Sequence, residues 1–528
     1  MKRRSLLQSA ALGAAALAIP RIGRAQNAKV LRFVPYVDLA ILDPMINTAS
    51  QTRTFGYMVF DTLYSQDANF RAQPEMVDGH QTDDDFKLWT LTLREGLRFH
   101  DNTPVLARDV VASIKRWGAA DPAGRALLGV VADMTAPSDR VVKIRMKQPY
   151  RLLPDVLGKI APSMACIMPE RIAAASPSKP ITEVIGSGPF RFIANERVSG
   201  SRAVFERFAG YAPRPGGGTP GLTGGPKIVN LDRVEWITMP EAATASAALQ
   251  NGEVDWWEVP SPDLLPMLRR DKTLVTDVKD KTGVVPILRF NCLQPPFDNP
   301  AIREAALVAS SQREFMEAFS SDPTEWRDKV GLFTPGTPMA TKAGMDRFHD
   351  KPDLEAAKRA VQAAGYKGER VVVMQPTDHP VNNVMSQVGA DLFKRIGLNV
   401  DLQAMDAGTM FQRRANREGV DKGGWSCFPS MVGGADVLNP AVSFLTRGNG
   451  ADAWYGWPTI PKLETARAAW FDAPDLPTQQ ALCGEMQMAV LDGAPHIPLG
   501  QILQPTSYRA TLTGVLEGIP KFWNVQKT

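Results

Sequence analysis

Leu88-Trp89-Thr90-Leu91-Thr92-Leu93-Arg94 alternates apolar and polar positions, which puts Trp89, Leu91 and Leu93 on one face of a predicted strand. A turn at Asp101-Asn102 follows. Thr103 is suited to cap, and Pro104 to open, a helix whose Leu106, Val110, Ile114 and Trp117 recur at helical spacing. Val142, Ile144 and Met146 mark another half-buried strand, so residues 71–184 read as a small α+β unit. Further on, Asp353 precedes a helical pattern of Leu354, Ala357, Val361 and Ala364, closed by Gly365. Arg370 to Met374 is then a short buried strand, Val381 to Ile396 a helix stopped by Gly397, and Leu398, Val400 and Leu402 a strand. Strand, helix, strand with short connections predicts a βαβ unit, hence a parallel pair and an α/β lobe.

The N-terminus has a different pattern. Arg3-Arg4 stands before an apolar stretch, Leu6 to Ile19, which is too short to span a bilayer. Small residues around Gly23-Arg24-Ala25 complete a secretory signal over residues 1–25, of the twin-arginine type. An ordinary secretory signal with two arginines is the alternative. No cysteine stands near the cut to take a lipid.

Removing the signal leaves about 500 residues, enough for about three domains. The net charge of +4 includes Lys2, Arg3, Arg4, Arg21 and Arg24, and without these five the mature chain stands near −1. Nothing in that balance points to nucleic acid. Cys166, Cys292, Cys427 and Cys483 lie far apart with no CxxC pair, so a disulfide is allowed but not required.

Catalytic and metal signatures do not emerge. The five histidines are scattered without ligand spacing. Gly186-Ser187-Gly188 lacks the spacing of a nucleophile elbow and reads as a hinge or tight turn entering a strand. Asp83-Asp84-Asp85 reads as a solvated turn, and the loop from Pro215 to Gly221 lacks the lysine of a phosphate cradle. No catalytic residue, metal site or cofactor is expected.

A set of ordered phrases resembles the extracellular solute-binding proteins of family 5, the peptide, dipeptide and nickel receptors of ABC transporters. These are Phe60-Asp61-Thr62-Leu63-Tyr64, Pro74-Glu75-Met76, the run Trp89 to Pro104 with Ala107, Asp109, Val110 and Ser113, and Gly186 to Phe190. Ala248 to Asp255, and Asn291 to Pro300 with Arg303, extend the likeness over nearly the whole mature chain. Asn102 departs from a usual Gly, and Ser310-Ser311 from a common Ile-Asp.

The resemblance implies a periplasmic-binding-protein type of α/β fold, two α/β lobes with a hinge plus an extra small α+β domain. Residues 26–70, 185–283 and 500–528 would form the first lobe, 71–184 the small domain and 284–499 the second lobe. It implies a periplasmic, soluble, monomeric receptor that closes on a small peptide or amino-acid-derived solute and passes it to a permease, without chemistry. Alternatives are an oligosaccharide, a metal chelate or an aromatic acid as solute, or an exported hydrolase.

In peptide-binding relatives a cleft tryptophan has a basic residue three before it and an aspartate shortly after. Lys422 and Trp425 resemble the first part and Asp436 the second, although Ser426 to Ala435 makes the loop longer. The resemblance assigns Trp425 to the ligand body, Lys422 to a carboxylate and Asp436 to an ammonium group. A core tryptophan, a surface lysine and a turn-capping aspartate are the competing readings. Phe55, Tyr57 and Trp454 join the candidate site, while Trp256-Trp257 is expected to have one ring buried and one partly exposed.

Overall fold

Alternation and helical periodicity set most of the local elements, and long-range pairing gathers them into three main sheets. The computed structural model describes residues 29–83, 85–160, 162–216 and 220–528. The signal segment expected over residues 1–25, Asp84, and part of the Pro215–Gly221 loop lie outside the described residues.

The first sheet runs Phe190–Phe192, Arg202–Arg207, Arg233–Ile237, Val30–Val34, Trp256–Trp257, Thr506–Arg509, Leu274–Asp277. Val30–Val34 is central and parallel to both its neighbours. Phe33, Trp236, Trp256 and Phe522 pack their rings against its face at centroid distances of 5.1–6.2 Å. Edge-to-face and tilted stacks of this kind add specific geometry to the apolar area that they bury.

The second sheet holds Val284–Phe290 beside Cys427–Gly433, then Arg370–Pro376 and Asn399–Met405. Arg370–Pro376 and Asn399–Met405 are parallel in register and joined through the helix Pro380–Arg395, a βαβ unit. Asp353 caps the preceding helix through Ala356 N–H, and Gly365 and Gly397 take positive φ where their helices end.

A four-stranded antiparallel sheet, Val77–Asp83, Leu88–Leu93, Val141–Met146 and Val131–Thr135, packs on the helix Ala107–Ala120. That helix starts three residues later than Pro104 suggests. Asp109 accepts from the Leu106 N–H and fixes the first turn there, while Thr103 closes a local turn on Asp101. Arg116 of this helix reaches Asp43 at 2.6 Å with both side chains fully buried, tying the unit to the first sheet's layer. Breaking such a pair strands a buried charge, which typically costs about 3–5 kcal/mol.

The chain crosses between the two large sheets through residues 278–283 and 503–505. Gly283 (φ 53°) lies so near the other crossing that a Cβ there would sit 2.3 Å from the Ile502 carbonyl oxygen. Gln501 Nε2 donates to the Thr282 carbonyl at 2.7 Å. One boundary moves: Gln501–Ile502 pairs with Val284 and with Trp326–Arg327, so the second sheet, rather than the first lobe, holds these residues.

Gly188 bends the chain directly into the strand Phe190–Phe192, as the tight-turn reading expects, and contact with a second backbone leaves no open hinge there. A Cβ on Gly186 would lie 1.9 Å from the Val59 oxygen, and Gly188 N–H donates to that oxygen at 2.9 Å. These glycines let two backbones touch. All four cysteines are free thiols.

Candidate functional site

A cavity of 280 Å³ opens where the two crossings, the first lobe and the second lobe meet. Its size stands at the small end of ligand pockets, about 300–1,000 Å³.

From the first lobe comes the helix Ser50–Val59, whose first turn presents Arg53. A cation in a first helical turn opposes the helix dipole, so other forces must hold it there. The Arg53 side chain is 10% exposed, and its Nε and Nη1 have no hydrogen-bond partner. Its nearest acid is Asp436 of the second lobe, with Nη1 3.9 Å from Oδ1. That oxygen is also buried without a hydrogen bond. Burial raises the Asp436 carboxyl above the usual range, opposed by the charges of Arg53 and Lys159.

Asp436 owes its position to a tight turn. The strand Cys427–Gly433 runs directly into the short helix Gly434–Val437. Gly434 N–H donates to the Gly283 carbonyl at 2.7 Å, and the Thr334 hydroxyl donates to the Gly434 carbonyl at 2.5 Å. A Cβ on Gly434 would lie 1.8 Å from the Thr282 oxygen, so the turn and the crossing are in backbone contact.

Glu258, just beyond the strand Trp256–Trp257, supplies a second acid. It accepts from the Tyr36 N–H at 2.7 Å and from Gln51 Nε2 at 3.1 Å, and burial raises its carboxyl. Lys279 and Asp280 also line the cavity. Lys279 lies 3.0 Å from Asp277, and Asp280 accepts from the Thr282 N–H and hydroxyl. Trp256 forms part of the wall, its indole N–H fixed on Thr506 Oγ1 at 2.6 Å. Both Trp256 and Trp257 are buried, which corrects the expectation of one exposed ring.

Of the six residues put forward from sequence, the cavity brings in Asp436. Trp425 stands at the opposite end of the strand Cys427–Gly433, whose seven residues rise about 3.3 Å each and so separate the two by about 20 Å. Its ring is fully buried against Phe428, at 4.8 Å, and Trp457, at 6.0 Å, with its N–H on the Arg414 carbonyl. Lys422 is on the surface, 3.4 Å from Glu418, four residues before it. Phe55 faces away from Arg53 into a core of Phe60, Phe192 and Phe205. Tyr57, one turn beyond Arg53, is buried with its hydroxyl donating to the Lys159 carbonyl at 3.2 Å. Trp454 packs on Phe444 and Phe428 with the Arg289 guanidinium over its ring. The extended strand is why one short phrase of sequence does not make one site.

Arg53 and Glu258 escaped notice because they lie far apart in sequence, although a cation in a first helical turn is a usable sign. Among the described residues no group of three or more His, Cys, Asp or Glu could hold a metal. No described helix is long and apolar enough to cross a membrane.

The family model for bacterial extracellular solute-binding proteins, family 5 (middle), matches residues 71–452. The chain belongs to this family. Among family 5 relatives, it is 36% identical over its whole length, and over 99% of the relative, to the probable peptide ABC transporter periplasmic-binding protein y4tO of Sinorhizobium fredii. Its fold is similar to that of the periplasmic binding protein DppA of Helicobacter pylori in complex with the peptide STSA. There the TM-score is 0.77 at 18% identity, over 94% of this chain and 98% of that one. It is also similar to AgaA of A. tumefaciens R10 in complex with agropinic acid, with a TM-score of 0.76 at 18% identity, over 94% and 99% of the two chains. The two-lobe α/β architecture of this family 5 protein is that of its structural neighbours.

Proposed function

We propose that this chain is the periplasmic receptor of an ABC importer, which captures a small peptide or amino-acid-derived solute between its lobes and presents it to a membrane permease. The observation behind the solute class is the pair of unsatisfied charges in the cavity. Arg53 offers free guanidinium nitrogens from one lobe, and Asp436 a free carboxylate oxygen from the other. A solute with a carboxylate and an ammonium group satisfies both by charge-assisted hydrogen bonds. Neither lobe alone completes the site, so binding favours the closed arrangement of the two. In this reading the solute leaves unchanged, because the cavity serves to enclose and orient it.

A thermal-shift screen of the mature protein against dipeptides and amino-acid derivatives tests this. A ligand at 100 times its dissociation constant stabilises by about 2.7 kcal/mol, a readable rise in melting temperature. Stabilisation confined to sugars or uncharged solutes would contradict the reading.

A further inference from the structure

The charges around the cavity do not balance once their local partners are assigned. Lys279 has Asp277 at 3.0 Å. Asp280 is held by Thr282 and feels the buried amine of Lys521 behind the wall. Lys159, which also acts on Asp436, has Asp121 at 2.9 Å. Arg53, Asp436 and Glu258 remain, one guanidinium against two carboxylates.

Arg53 acts on both acids but makes no hydrogen bond to either, and its contact with Asp436 is long. The two groups that Glu258 holds, the Tyr36 N–H and the Gln51 amide, are neutral. A zwitterionic solute adds one charge of each sign, so it leaves one buried carboxylate without a counter-charge, an unfavourable arrangement.

Resting on the reading of this cavity as a solute site, we propose that the preferred solute carries a further cationic group, which Glu258 receives. The class is a basic dipeptide or a basic amino-acid derivative. Its carboxylate meets Arg53, its α-ammonium meets Asp436, and its side-chain cation meets Glu258. Glu258 is then the residue that sets specificity, while Arg53 and Asp436 read the features common to all free peptides. The hydrogen bonds from Tyr36 and Gln51 fix the Glu258 carboxylate before the solute arrives, which lowers the ordering cost of binding.

Titration calorimetry on the mature protein compares Lys-Ala and Ala-Lys with Nle-Ala and Ala-Nle, where norleucine keeps the four-carbon chain and lacks the ammonium. One lysine dipeptide should bind about 10- to 100-fold more tightly than its norleucine counterpart, the range for a hydrogen bond to a charged group. In Glu258→Gln that preference should fall to within about threefold. The wild-type comparison stands even if the variant folds poorly. Equal affinity for lysine and norleucine dipeptides, or a preference that survives Glu258→Gln, would overturn the cationic specificity and leave the receptor reading in place. Failure of all four to bind would contradict the dipeptide reading itself, and the specificity with it.

Discussion

Arg53 and Asp436 face each other across the two lobes with Nη1 3.9 Å from Oδ1, too far for a hydrogen bond, and each keeps buried polar atoms unpartnered. Native proteins seldom leave such groups unsatisfied, and a ligand that bonds to both relieves the cost on both sides. Arg53→Ala should therefore weaken solute binding about 10- to 100-fold, with some fall in the melting temperature of the ligand-free protein because Asp436 and Glu258 lose the guanidinium that acts on both. Calorimetric titration and a thermal melt on the same variant check this. A large loss of stability with affinity intact would assign Arg53 to the fold alone.

Trp425 offers the converse test. It is sealed among Phe428, Trp457, Met374 and Met410, at the end of its strand remote from the cavity. Trp425→Ala should lose about 3–5 kcal/mol of stability, the usual cost of emptying a large aromatic site. Solute affinity measured below the melting range should be preserved. A stable variant that no longer binds would return Trp425 to the site.

The strand Leu88–Leu93 and the βαβ unit of Arg370 to Met405 were legible because each depends on a pattern within a few residues. The helix start at Ala107 was less so, since Thr103 and Pro104 carry the usual signs but the Asp109 carboxylate reaches back to Leu106. The contact of Gly186 with Val59 was not legible, because nothing nearby in sequence shows that the two backbones meet. The site was hardest to read. Residues 53, 258 and 436 come together only through the sheet order and the two crossings, and Trp425 and Asp436 are close in sequence yet lie at opposite ends of an extended strand.

His496 makes stability depend on acid. It is fully buried, with Arg289 Nη1 3.4 Å from its Nδ1, and burial together with that charge holds its pKa down to about 3. In the unfolded chain the imidazole returns to about 6.5, so unfolding takes up a proton below that pH. The stabilisation is complete above about pH 6.5 and is lost as pH falls toward the folded value, at up to about 1.4 kcal/mol per pH unit. Urea unfolding at pH 7 and pH 5 should show wild type losing about 2 kcal/mol more than His496→Gln between the two. Equal losses would mean that the imidazole is not held neutral by the fold.

The most direct test of a charge-reading cavity is to erase the ligand's terminal charges while keeping its shape. Titration calorimetry compares the tightest-binding dipeptide from the screen with the same dipeptide N-acetylated and C-amidated. We predict at least about 100-fold weaker binding of the capped form, because Arg53 and Asp436 both lose an ionic partner. Comparable affinity for the free and capped dipeptides would contradict the assignment of Arg53 and Asp436 to the solute.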